Sequence, residues 1–212
     1  MGAVSVSVHN KEIAFNAIKK LTDAGMTQVN VHWVLYKQNY EETFKLIDDL
    51  TSDERTKKLN ALVLLAYKPK GRNKGNFESI KDPSMYAKLV DYAKSKKLNI
   101  GMDSCSGPVV FKATKDEDYD YITQVVTPCE STLESSYINV EGDFFPCSFT
   151  EGEKGWETGI SVIEAEKFSD VWYNDRVVEF RNKLLATSKN CNCKFSKLCR
   201  HCPTFEVTTC HK

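Results

Sequence analysis

Leu62-Val63-Leu64-Leu65-Ala66-Tyr67 is the stretch whose reading decides the fold. It carries no charge, is rich in branched side chains, and stops at the basic, Gly- and Asn-containing run Lys68–Asn76. An apolar run this short reads as a strand with both faces covered, as in a parallel sheet between other layers. Upstream, Phe44, Ile47 and Leu50 recur at helical spacing, and Val29–Tyr36 reads as an earlier strand. Before that, Asn10 is placed to cap a helix carrying Ile13, Ala17, Ile18 and Leu21, which Gly25 closes, and Val4–Val8 reads as the first strand. Downstream, Asp82-Pro83 marks a helix start, with Tyr86, Leu89, Val90 and Ala93 on the buried side, and Asn99–Asp103 forms a fourth strand. Strand–helix–strand repetition of this kind implies parallel strands joined by crossovers, so the class is α/β.

The pattern changes after Cys105. Residues 108–128, acidic and Tyr-rich (Asp116 to Tyr121), are expected to bridge two substructures. Tyr137–Val140, the turn Glu141-Gly142-Asp143 and Phe144–Ser148 predict a β-hairpin. Phe168–Trp172 leads into a helix capped near Asn174, with Val177, Val178, Arg181, Leu184 and Leu185 at helical offsets. Beyond Lys189 there is little apolar periodicity, and a segment without its own core needs cross-links to be ordered. The expected domains are therefore 1–107, a linker at 108–128, and a cysteine-rich domain at 129–212.

Lysine plus arginine balance aspartate plus glutamate at 29 each, which argues against a broad surface for nucleic acid or an anionic membrane. The apolar runs fall far short of the roughly 20 residues of a membrane helix, and the N-terminus lacks a signal-peptide pattern. The cytoplasm is the expected location, where clustered cysteines are more often metal ligands than disulfides. The basic run Lys68, Lys70, Arg72 and Lys74 would either meet an anionic ligand or serve as solvated surface.

Of eight cysteines, none precedes Cys105 and seven follow it: Cys129, Cys147, Cys191, Cys193, Cys199, Cys202 and Cys210. Seventeen residues separate the first two of these, with Gly142 four intervening residues before Cys147. After a 43-residue gap come Cys191-Asn192-Cys193, five residues to Cys199, two to Cys202 and seven to Cys210. Thiolates are soft ligands that select iron–sulfur clusters, zinc or copper(I). One ion needs only four, so seven in two sequence groups suggest two centres. A zinc site from Cys193, Cys199, Cys202 and Cys210, or with His201 in place of one, is the competing reading. It would make the chain a non-enzymatic zinc-binding interaction module.

This order of cysteines resembles the SPASM domain of radical S-adenosylmethionine proteins, which include peptide maturases. The family has two residues where Asn192 stands alone, and three where Arg200-His201 stand. The resemblance implies an auxiliary-cluster domain following an incomplete parallel (β/α) partial barrel. It implies two auxiliary [4Fe–4S] clusters, one on Cys191, Cys193, Cys199 and Cys210, the other on Cys129, Cys147 and Cys202. The last corner would be open or filled by Cys105. Ser7 falls where such barrels carry a cofactor-contacting strand residue. The implied substrate is a peptide or protein side chain.

The Cys-x3-Cys-x2-Cys motif that binds the radical-generating cluster is absent from the sequence. The chain alone is therefore not expected to cleave S-adenosylmethionine, and the Val4–Val8 strand is expected to present an open edge. A separate polypeptide supplying an N-terminal radical half, a fragment of a longer protein, and a homologue that kept only its clusters remain the three explanations.

Overall fold

The computed structural model describes residues 2–71, 75–114, 118–186 and 193–205. The chain divides into two compact units, Met1–Thr127 and Pro128–Lys212.

The first unit is built on a four-stranded parallel sheet in the order β1 (Val4–Ser7), β2 (Val29–Leu35), β3 (Ala61–Ala66), β4 (Ile100–Met102). Helices α1 (Lys11–Asp23), α2 (Tyr40–Ser52) and α3 (Pro83–Ser95) connect successive strands, as parallel neighbours require. Two helix starts are set by their caps: Asn10 Oδ1 accepts from Ile13 N at 3.1 Å, and Asp82 Oδ1 accepts from Ser84 N at 2.9 Å. All four residues expected on the inner side of α3 are buried.

Two details differ from expectation. In α1 the buried stripe is Ala14, Phe15, Ile18 and Thr22, whereas Ile13 is 71% exposed. The aromatic Phe15 wins the inward position, and Ile13 serves the cap through its backbone N–H. In β3 burial alternates: Leu62, Leu64 and Ala66 are buried, Val63 and Leu65 only partly. The register continues this pattern, pairing Val31 with Leu62 and Leu62 with Ile100, all buried. The sheet therefore has one well-covered face. On the other, Ser5 and Ser7 are exposed, His32 is half-buried, and Val34 is 46% exposed. A run of apolar residues does not by itself specify two covered faces.

Residues 108–128, expected as a linker, instead hold α4 (Gly107–Ala113) and α5 (Tyr119–Val125), and belong to the first unit up to Thr127. Val109, Val110, Phe111 and Ile122 are buried, and Val126 bridges to Met102 of β4. The acidic residues advertise a surface, while the few apolar ones are enough to dock short helices.

The second unit has a three-stranded antiparallel sheet, β5 (Tyr137–Ile138), β6 (Asp143–Phe145) and β7 (Ile160–Ser161). The first two strands are the expected hairpin; the third is an addition. Phe168–Trp172 is itself a short helix, α6, and α7 spans Asp175–Ala186. The core joins Phe144, Phe145, Trp156, Val171, Val177 and Phe180. Its aromatic rings meet edge-on, Trp156 to Phe180 and Phe144 to Trp172 each at 6.2 Å.

Candidate metal centre

Three segments of the second unit carry five of the six described cysteines. Cys129 opens the first, a tight loop in which the N–H groups of Leu133, Glu134 and Ser135 all reach Glu130 O. At its centre Thr132 is fully buried with φ +60°, a backbone state costing about 1–2 kcal/mol for a side-chain-bearing residue. It is held there from outside: Arg181 of α7 donates Nε to Thr132 O at 2.5 Å and Nη2 to Trp172 O at 3.1 Å. Ser131 joins this loop to the next segment by donating Oγ to Pro146 O at 2.7 Å.

Cys147 follows β6 after the single residue Pro146. The strand is aimed by the hairpin turn, where Gly142 has φ +84° and donates to Asn139 O at 3.1 Å. It is this left-handed backbone that requires glycine; a Cβ would also approach Ile163 Cδ1 to 2.5 Å, but that exposed side chain can turn aside. Past the strand the backbone turns over fully buried Thr150, whose hydroxyl donates to Cys147 O at 2.7 Å and accepts from Cys147 N at 3.3 Å.

The third segment, Cys193–Phe205, lacks regular structure but is pinned by buried Phe195, whose carbonyl accepts from Leu198 N and Cys199 N. Cys202 Sγ accepts from Phe205 N at 3.3 Å, and Cys199 Sγ lies 3.5 Å from His201 Nε2. Arg200 Nη1 donates to Cys129 O at 2.6 Å, tying this segment to the first.

The sulfurs of Cys129, Cys147 and Cys202 are close enough to feel one another's charge. Burial raises the Cys129 thiol above its ordinary value; the Ser131 N–H and the Arg200 charge oppose this, and the neighbouring sulfurs reinforce it. Burial raises Cys147 likewise, opposed by the N–H groups of Phe149 and Thr150 and the Thr150 hydroxyl. A metal must therefore displace protons held more firmly than usual, into a pocket already furnished with donors for sulfur charge. Soft thiolates ringed by N–H donors fit the ligand set of an iron–sulfur cluster, whose potential such donors tune. Among the described residues, no group of three or more His, Cys, Asp or Glu side chains is set to hold a single metal ion.

The other expected residues stand as follows. Cys193 and Cys199 lie on the third segment, partly buried. Cys191 and Cys210 lie outside the described residues. Cys105 belongs to the first unit, where its sulfur and the carboxylate of Asp103 share the Lys68 ammonium. Lys68 is thus an interior cation, its side chain 7% exposed, and neither solvated nor presented to a ligand; Arg72 and Lys74 lie outside the described residues. Ser7 lines a cavity of about 630 Å³ at the C-terminal ends of the first strands, with His9, His32, Tyr36 and Phe77. Arg200, Ser131 and Thr150 were not singled out from the sequence. Only Arg200 had a signal there, as a cation set between two candidate ligands.

No helix among the described residues is long and apolar enough to cross a membrane. No curated protein and no solved structure matches the chain. Residues 129–203 match the family model of the SPASM iron–sulfur cluster-binding domain, a span that takes in Cys129, Cys147, Cys191, Cys193, Cys199 and Cys202 and ends before Cys210. This part of the chain is a SPASM-type iron–sulfur cluster-binding domain.

Proposed function

We propose that the chain is the auxiliary-cluster part of a radical S-adenosylmethionine enzyme, acting in the cytoplasm on a peptide or protein side chain. In this reading Cys129, Cys147 and Cys202 hold one [4Fe–4S] cluster, and Cys191, Cys193, Cys199 and Cys210 hold a second. When bound, such clusters supply one-electron relay or a site for substrate. The observation that carries the reading is the match of residues 129–203 to the SPASM domain, within which the thiols of three distant segments lie in electrostatic reach of one another, each supplied with a backbone N–H.

The first unit contributes the rest of the reading. A sequential parallel sheet covered on one face suits an arc of a (β/α) partial barrel, whose ligands gather at the C-terminal strand ends. The cavity bordered by Ser7 lies there and is the proposed contact for S-adenosylmethionine. A radical-generating half, on another polypeptide or in a longer form of this chain, would complete the arc along β1.

Anaerobic reconstitution with iron and sulfide tests this. The expected product is brown, carries up to eight irons with matching acid-labile sulfide, and does not cleave S-adenosylmethionine alone. A colourless protein that instead retains stoichiometric zinc refutes the cluster assignment. Cofactor cleavage by the isolated chain refutes the need for a second half.

A further inference from the structure

Building on the cluster reading above, we infer that Arg200 is a positioning residue for the cluster held by Cys129, Cys147 and Cys202, fixing the Cys129 loop and raising that cluster's reduction potential. Arg200 sits between two ligand cysteines, Cys199 and Cys202, yet its guanidinium reaches back 71 residues to donate to Cys129 O at 2.6 Å. Cys129 is thereby held at both ends. Its carbonyl is fixed by Arg200, its sulfur accepts from Ser131 N–H, and the Ser131 hydroxyl is anchored on Pro146 O beside Cys147. One clamp thus joins all three ligand segments.

The electrostatic consequence follows from sign. Reduction adds an electron to a cluster that already carries thiolate charge, so a fixed cation nearby stabilises the reduced form and raises the potential. The guanidinium is permanently charged and holds its fork in a fixed plane, whereas a lysine ammonium keeps the charge on a flexible stem. Charge and clamp are therefore separable by substitution.

The test uses the reconstituted full chain, with potentials read by electron paramagnetic resonance during redox titration. The signal lost in Cys147→Ala identifies the cluster concerned. Arg200→Gln is expected to load iron while shifting that signal's midpoint downward by at least a tenfold change in the oxidised-to-reduced ratio, about 59 mV for a one-electron couple. Arg200→Lys is expected to stay near the wild-type midpoint but to lose iron to a chelator several-fold faster. An unmoved midpoint in Arg200→Gln overturns the inference. If that variant fails to load, an Arg200→Lys protein that matches wild type in both midpoint and iron retention overturns it instead. A wild-type chain that binds no cluster defeats the underlying functional reading, a separate result from either of these.

Discussion

Replacing Arg181 with methionine isolates the mechanical support of the Cys129 loop. The variant keeps an unbranched apolar stem and removes the guanidinium, which now bonds to Thr132 O and Trp172 O and lies 4.9 Å from the Trp172 ring centroid. A hydrogen bond from a charged donor contributes about 1.5–3 kcal/mol. The bond to Thr132 belongs near the top of that range, since the residue is fully buried. Water can partly replace the bond to Trp172, worth about 1 kcal/mol, and the ring contact adds about 0.5–1 kcal/mol. Against these, release of the left-handed Thr132 backbone returns about 1 kcal/mol. The net loss is on the order of 3 kcal/mol, close to a hundredfold in the local opening equilibrium. Hydrogen-exchange mass spectrometry of the full chain reads this directly. Amides of Leu133 to Ser135, now bonded to Glu130 O, are expected to exchange about two orders of magnitude faster. Exchange within threefold of wild type would refute the idea that Arg181 holds the loop.

Further outcomes follow from other sites. Lys68→Met leaves the largely buried Asp103 with its ammonium partner gone; unfolding of the first unit in urea should be easier by on the order of 3 kcal/mol, and an effect under 1 kcal/mol would mean that the other donors to Asp103, the Ala66 N–H and the N–H and hydroxyl of Ser106, suffice. Tyr86→Phe removes a buried hydroxyl that meets no partner of good geometry among the described residues and has only a loose contact with Ser106, so the thermal midpoint should hold or rise, a gain of about 1 kcal/mol at most; a clear fall would mean that the Ser106 contact is a working hydrogen bond. Asp53 is held down at about 2 by its side-chain and backbone hydrogen bonds from Arg55. Its contribution is present above the ordinary carboxylate value of about 3.9 and is lost as pH falls from there through about 2, so Arg55→Met should flatten this acid limb of the melting-temperature profile.

Much of the first unit was legible because its signals are local. Asn10 and Asp82 announce helix starts through their own side chains, and Tyr86, Leu89, Val90 and Ala93 keep a strict helical spacing. What escaped was set by tertiary competition. Only packing decides that Phe15 rather than Ile13 turns inward, or that Val63 and Leu65 stay half-covered while Leu62 and Leu64 do not. In the second unit, cysteine order indicated the domain type, since ligand spacing is a sequence property. The supporting shell was hidden because its groups are mainly backbone N–H donors, which every residue carries. Thr150 beneath Cys147 and Ser131 against Pro146 look like any hydroxyl residues until the chain is folded.

The bond from Arg200 to Cys129, 71 residues apart, has a consequence for biosynthesis. Closing a loop of that length costs on the order of 4 kcal/mol in chain entropy, and Arg200 is synthesised well after Cys129. Iron delivered during translation would meet Cys129 and Cys147 without Cys202. On the proposed ligand assignment, metallation of that pocket would wait until Cys202 has emerged and the loop has closed.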